Sequence, residues 1–354
     1  MKKKVVVAMS GGVDSSVAAA LLLKKGYDVV GVTMCFNLPD HHRGEPRCCG
    51  ASAITDARRV SALLGIRHYV LNFSREMENE VIADFIREYR GGRTPNPCVR
   101  CNEFIKFGAL LKKAMALEAD YLATGHYARI IKNGSYHLLK ARDKKKDQSY
   151  FLYRFNQERL RRIIFPLGGY TKDAVKKLAK RMKLGVAEKK ESQEICFIPR
   201  NYRIFLKERI RPSLFRPGRI LDDKGNVIGT HQGIALYTIG QREGLGISCG
   251  CPVYVSDIDA ADNIIRVSNR RGLYRRRFIV KDLVFPSGAP KHKRRLGVRV
   301  RYLTPEVSAD LEPFKDKARV LLGEPVFAIT PGQSAVFYDK ERVVGGGVIE
   351  EVLD

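Results

Sequence analysis

The chain has 354 residues, 44% hydrophobic and 29% charged, enough to bury real cores in two or three domains. Lys and Arg number 64 against 38 acidic residues, a net charge of +26 that favours a polyanionic partner, nucleic acid before an anionic membrane surface. No run of 18 apolar residues exists, which excludes a membrane-spanning helix, and no membrane partner is expected.

From the N-terminus, residues 4–9 read as a buried strand and residues 16–25 as a helix closed by Gly26. The lysines and apolar run at the start are cut short by Ser10-Gly11-Gly12, and no small-residue cleavage site follows. A cytoplasmic protein with a strand at its start is expected, rather than a signal peptide. Residues 27–34 are the next strand, 51–64 a helix closed by Gly65, 67–73 a third strand and 75–89 a third helix. A helix over 102–117 precedes the strand 121–124. Strand–helix repetition with apolar strands predicts an α/β domain, a parallel sheet covered on both faces. Its ligands belong at the carboxyl ends of the strands, in the loops after Met9, Met34 and Thr124.

The pattern changes near residue 200. Residues 202–272 carry a basic helix, Gly-rich stretches and a hairpin around Ala261-Asp262-Asn263, which predicts a small central domain. From Leu273 onward short strands of period two at 278–285, 297–303, 317–322 and 333–338 predict a β-barrel. The expected domains are 1–201, 202–272 and 273–354. The polar loop 37–47, with paired histidines, is expected to be disordered in the free protein.

Ser10-Gly11-Gly12-Val13-Asp14-Ser15-Ser16 lies between the first strand and the first helix. The glycines admit an anion to the backbone N–H groups, and the helix N-terminus adds its partial positive charge. The serine hydroxyls can donate to phosphate, and Asp14 can hold a metal ion or orient water. The string lacks the Gly-Lys-Ser/Thr ending of a Walker loop, which disfavours transfer of a γ-phosphate. It resembles instead the signature of the PP-loop ATP pyrophosphatase superfamily, whose members split ATP between its α and β phosphates.

Eight cysteines stand at positions 35, 48, 49, 98, 101, 196, 249 and 251. In a reducing compartment, clustered cysteines are reactive or metal-binding more often than disulfide-bonded. Cys98 and Cys101 follow Thr94-Pro95-Asn96-Pro97, where two prolines stiffen the loop. Cys101 is expected near a helix's first turn, its thiolate favoured by the helix dipole with Arg93, Arg100 and Lys106 adding positive field. A zinc knuckle of Cys98, Cys101, Cys48 and Cys49 is the minority alternative. Cys35, Cys249 and Cys251 read as packing residues or unassigned thiols.

SGGVDSS, TPNPCVRCNEFIKF, ATGHYAR, KDQSYFL, ESQEICFI, TIGQREGLG and TPGQSAVFY occur in one order across residues 4–350. As a set they resemble the tRNA-specific 2-thiouridylase family. The resemblance implies a PP-loop domain, a small central domain and a C-terminal barrel that binds tRNA. It also implies ATP-dependent thiolation of C2 of the wobble uridine, with Mg²⁺ screening the phosphates. A cysteine desulfurase or relay protein would supply the sulfur, and the enzyme is expected to be a monomer. By the family pattern Cys196 carries a persulfide and Cys101 is the nucleophile that acts with it. Ala8, Met9, Ser10, Gly11, Gly12, Val13, Asp14, Ser15, Met34 and Gly125 fall around ATP. His126, Asp147, Gln148, Ser149, Arg301, Tyr302 and Gln333 fall on tRNA. Some members carry Asp where this chain has Cys98, so Cys98, Cys101 and Cys196 are also the candidate ligands of a [4Fe–4S] cluster delivering sulfide.

Residues 266–301 hold 13 Lys and Arg and one acidic residue, Asp282. A solvated charged surface alternates signs, and this stretch does not, so it is expected to grip phosphates; the run 200–219 extends the track. Three alternatives remain at this point. They are a PP-loop enzyme for a small substrate (an amidotransferase or argininosuccinate synthetase), a thiolase for another tRNA base, and a non-catalytic RNA-binding protein with structural zinc.

Overall fold

The computed structural model describes residues 2–36, 38–39, 46–47, 51–189, 195–198, 201–247 and 250–353. Most of the loop expected to be disordered, and residues 191–194 of the ESQEICFI motif, lie outside the described residues. The chain divides into two compact units. The first comprises residues 1–81, 98–197 and 341–344; the second comprises 82–97, 198–340 and 345–354.

The first unit is built on a five-stranded parallel sheet. β1 (Lys4–Ala8) is flanked by β2 (Asp28–Cys35) on one side and Tyr121–Thr124 on the other, with Arg67–Asn72 and Ile163–Ile164 at the edges. Val5, Val6 and Val7 are buried on both faces, as a continuous apolar run demands of a central parallel strand. The strand order reverses between β1 and Tyr121–Thr124, so a crevice opens there at the carboxyl ends. Helix α1 (Val13–Lys24) is apolar around most of its circumference and buries Val17, Ala18, Ala19 and Leu22. Val175 and Ala179, on the helix Lys172–Arg181, join the same core. Helix α2 (Ala51–Leu63) presents Ala57 and Val60 to that core and leaves its other face to solvent.

The cysteine-bearing helix starts at Pro97, whose fixed φ and missing N–H suit a first helical position. It runs as Pro97–Arg100, then as wider π-type turns over Cys101–Leu110, then as Leu111–Ala116. The start falls five residues before the expected one. Cys101 therefore sits beyond the first turn, where the dipole's field has fallen away. A hairpin of Arg129–Asn133 and Ser135–Leu139 completes this unit, with Leu139 paired to Arg342.

The second unit holds the predicted small sheet and barrel. The sheet orders Val227–His231, Gly218–Leu221, Ile264–Ser268 and Tyr254–Asp259 over a core of Ile220, Val255, Ile265 and Val267. Asn263, at φ +54°, turns the expected hairpin, a conformation asparagine tolerates better than most residues. The barrel has six antiparallel strands: Tyr274–Val284, Lys317–Phe327, Val307–Phe314, Arg294–Arg299, Ser334–Asp339 and Arg342–Val352, the last paired back to the first. The expected strand 297–303 ends at Arg299. Beyond it the Arg301 N–H donates to the Thr304 hydroxyl, 3.1 Å away, and turns the chain.

Candidate active site

The nucleotide loop follows β1. Met9 N–H donates to Val32 O (2.8 Å) and the Thr33 hydroxyl to Met9 O (2.8 Å), which pins the loop to β2 at its start. Gly11 takes φ +67°, and a Cβ there would lie 2.2 Å from Ala53 O, so no other residue fits. The Ser15 and Ser16 hydroxyls turn back to Gly12 O at 3.2 and 2.9 Å, and the Ser10 N–H donates to Ser15 Oγ at 3.1 Å. The loop is therefore closed by its own serines, with α1 opening directly behind it. Ser10 is exposed, Met34 half-buried at the end of β2, and Met9, Val13 and Ser15 are buried.

Asp14 is held from two sides. Lys172 Nζ donates to both carboxylate oxygens at 2.7 Å, and Tyr127 Oη donates to Oδ1 at 2.8 Å. Lys172 is almost fully buried at the start of its helix, where its backbone N–H donates to Asp143 Oδ2 (2.9 Å). Tyr127 is fixed by Gln148, whose side-chain oxygen accepts from Tyr127 N–H and whose N–H donates to Tyr127 O, both at 2.9 Å. Gly125 comes against the start of α1. A Cβ there would lie 2.8 Å from Asp14 C and Ser15 N, so glycine is needed for this approach. Lys189 Nζ reaches Gly11 O (3.2 Å) and Asp56 (2.7 Å).

Neither Lys172, Tyr127 nor Lys189 stands among the residues expected from sequence. Tyr127 lies inside the ATGHYAR string and Lys172 beside a Thr171 helix cap, so a signal existed, but only the fold aims them at Asp14. Asp147 and Ser149 are buried and engaged internally: Asp147 Oδ1 accepts from the N–H groups of Ala141 (3.0 Å) and Ser149 (3.2 Å), and Oδ2 from the Ser149 hydroxyl (3.0 Å).

His126 is half-buried between Phe107 and Phe165, with ring centroids 5.8 and 5.9 Å away, and its Nδ1 lies 2.7 Å from Thr124 Oγ1. Loss of solvent, aided by the Lys106 charge, holds its pKa well below the usual imidazole value, so the ring is neutral at physiological pH.

Cys101 is buried, Cys98 and Cys196 are exposed, and none of the three is in a disulfide. Burial pushes the Cys101 thiol up, and Lys106 opposes this only in part. The expectation of a favoured thiolate is thus overturned, because desolvation outweighs the positive field. Arg100 spends its charge on Glu103, which also pairs with Arg154 at 2.6 Å. Cys35 is buried and disulfide-bonded, not an unassigned thiol. Among the described residues no three His, Cys, Asp or Glu side chains are placed to hold a metal ion. Cys98, Cys101 and Cys196 thus do not form a three-thiolate cluster site here.

Arg301, Tyr302 and Gln333 belong to the second unit. The Arg301 guanidinium donates to Ile239 O (3.1 Å) and to the Thr330 hydroxyl, and Tyr302 beside it is half-buried. Gln333 Nε2 donates to Thr94 O (3.1 Å) and Pro95 O (2.9 Å). Arg271, in the turn just before the barrel, and Arg277, Lys291 and Arg295 on the barrel are exposed, so the expected basic surface is present.

Three family models match consecutive stretches. They are a tRNA methyl transferase HUP domain over residues 3–200, a tRNA methyl transferase PRC-barrel domain over 203–269, and an aminomethyltransferase β-barrel domain over 275–349. The chain is 49% identical over 362 residues to a tRNA-specific 2-thiouridylase MnmA of Heliobacterium modesticaldum, covering 100% of this chain and 94% of that one. It is 49% identical over 364 residues to the protein of that name from Carboxydothermus hydrogenoformans, covering 99% of each. Against the Clostridium perfringens protein of the same name it is 45% identical, again covering 99% of each. A nucleotide loop built as described, the motifs in order and this full-length likeness agree: the chain belongs to the tRNA-specific 2-thiouridylase family.

Proposed function

We propose that this chain is an ATP-dependent tRNA sulfurtransferase that replaces the C2 oxygen of the wobble uridine with sulfur. The observation that carries the reading is the closed loop from Ser10 to Ser16 with Asp14 clamped behind it, in a chain 49% identical to 2-thiouridylases along its whole length. The uracil C2 oxygen is a poor leaving group. Its attack on the α-phosphorus of ATP forms an O–P bond and releases pyrophosphate, so the oxygen can later depart within AMP. The backbone N–H groups at the α1 N-terminus receive the phosphates. Mg²⁺ would screen the charge of the triphosphate. Asp14 is its candidate protein ligand, but both carboxylate oxygens face Lys172, so the phosphates would hold most of the ion.

Sulfur then attacks C2. In the reading supported by the family pattern, Cys196 carries the persulfide, loaded by a cysteine desulfurase or relay protein. The Cys101 thiolate attacks the inner sulfur of Cys196, hydrosulfide leaves, and a Cys101–Cys196 disulfide forms. A thiol reductant returns that disulfide to two thiols before the next cycle. The exposed position of Cys196 suits loading by another protein. Among the described residues no three His, Cys, Asp or Glu side chains are placed to hold a metal ion, which favours the persulfide over sulfide delivery by an iron–sulfur cluster. His126, Tyr302 and the basic barrel are the proposed tRNA contacts, and the working unit is a monomer. Among the described residues no helix is long and apolar enough to cross a membrane.

The test is mass spectrometry of nucleosides from tRNA incubated with enzyme, ATP, Mg²⁺ and a sulfide source, with AMP measured in parallel. Wild type should form 2-thiouridine, Cys101→Ala and Cys196→Ala should not when sulfur comes from a desulfurase, and Cys98→Ala should retain activity. AMP without thiolated base would overturn the substrate or the sulfur route. Loss of activity in Cys98→Ala, together with iron and labile sulfide in anaerobically purified protein, would overturn the persulfide route.

A further inference from the structure

Three strings that the mechanism leaves idle, TPNP at 94–97, TIGQ at 238–241 and TPGQ at 330–333, meet at one residue, Thr94. Its N–H donates to Pro331 O at 2.9 Å, its hydroxyl meets the Thr238 hydroxyl, and its carbonyl accepts from Gln333 Nε2 at 3.1 Å. The same Gln333 amide also reaches Pro95 O at 2.9 Å. Gly332, at φ +92°, lies so close that a Cβ there would be 2.8 Å from Thr94 O. Arg301 ties the other two strings together through Ile239 O and Thr330 Oγ1. One residue earlier, Arg93 pairs with Glu88 at 2.7 Å and donates to Ile349 O at 3.4 Å. Every polar atom that Thr94 offers is thus engaged, and the loop it opens runs without a break into the helix carrying Cys98 and Cys101.

We propose that Gln333 is a positioning residue: together with Thr238 it clamps Thr94 and Pro95 and sets the loop from which the cysteine helix departs. The family pattern assigns Gln333 to tRNA. Here its two amide protons serve two protein carbonyls, and the clamp is a second task. Because an amide has only two protons, Gln333 cannot hold both carbonyls and donate to RNA at once. Sulfur transfer on bound tRNA therefore needs this amide on the protein, where it holds the loop ahead of the nucleophile in place.

The inference rests on the tRNA thiolation reading, and the experiment separates the two. Three quantities are measured for wild type, Gln333→Glu and Thr94→Val. They are the dissociation constant for tRNA without ATP, the single-turnover rate of 2-thiouridine formation at saturating tRNA, and hydrogen exchange at the Thr94 amide. Gln333→Glu keeps the size but turns the donor into an acceptor facing two carbonyls. The expected result is tRNA affinity within about two-fold of wild type, a single-turnover rate at least about ten-fold lower, and faster exchange at Thr94. The rate should partly recover as pH falls, because a protonated carboxyl can again donate to one carbonyl. Thr94→Val, which removes only the hydroxyl contact, should move in the same direction by less. A ten-fold loss of affinity with an unchanged rate at saturation and unchanged exchange would overturn the clamp. So would variants indistinguishable from wild type. If wild type itself forms no 2-thiouridine, the functional reading fails, while faster Thr94 exchange in the variants would still report the clamp.

Discussion

Lys172 Nζ sits 2.7 Å from each carboxylate oxygen of Asp14, yet the two partners see solvent very differently: the lysine side chain is 8% exposed and the aspartate 31%. Removing either therefore has unequal consequences. Asp14→Asn strands a nearly buried ammonium, whereas Lys172→Met leaves a carboxylate that water and Tyr127 can still solvate. Asp14→Asn should cost about 2 kcal/mol in urea unfolding and Lys172→Met about 1 kcal/mol or less, values reduced for partial exposure. Both should slow ATP-dependent AMP formation, Asp14→Asn by about 100-fold, near 2.7 kcal/mol of transition-state stabilisation. Equal stability losses would count against the asymmetry.

The Cys101 thiol gives a pH prediction with a definite sign. Burial raises its pKa above the ordinary 9.0, so at neutral pH the thiolate is the minor form. Alkylation of Cys101 by iodoacetamide, followed by peptide mass spectrometry, should therefore quicken about ten-fold per pH unit and still be rising at pH 9.0. Lys106→Met removes the charge that opposes this rise and should slow alkylation further at any given pH. A plateau below pH 8 would mean that the helix field outweighs burial after all.

The barrel's basic residues should reveal themselves through salt. If Lys291 and Arg295 each track a phosphate, Lys291→Gln with Arg295→Gln should lower the slope of log K against log salt by about 2. Affinity should fall alike for thiolated and unthiolated tRNA, because phosphate contacts carry no base information. An unchanged slope in filter-binding titrations would move the phosphate track elsewhere on the surface.

Much of the architecture was legible because it rests on local pattern. The apolar run Val5-Val6-Val7 ahead of Ser10-Gly11-Gly12 announces a central parallel strand and the anion loop behind it, and both are found there. Period-two alternation announced the barrel strands, although Arg294–Arg299 stops where a side chain, the Thr304 hydroxyl, redirects the chain. The Cys101 thiol departs from its local pattern for a related reason. Helix position and neighbouring charge can be read along the chain, but desolvation depends on what packs around the thiol.

The sequence by itself determined the family, the nucleotide loop and the positive barrel, since each depends on residue types at short spacing or on composition. Only the tertiary structure decided which groups act together. Lys172 lies 158 residues from Asp14, and Gln333 lies 239 from Thr94. No periodicity links such pairs. They are joined because the parallel sheet delivers strand ends to one crevice and because the TPGQ turn comes up against Thr94. Hydrogen bonds so distant in sequence are settled by packing, where backbone carbonyls and buried charges must find partners wherever the fold leaves them.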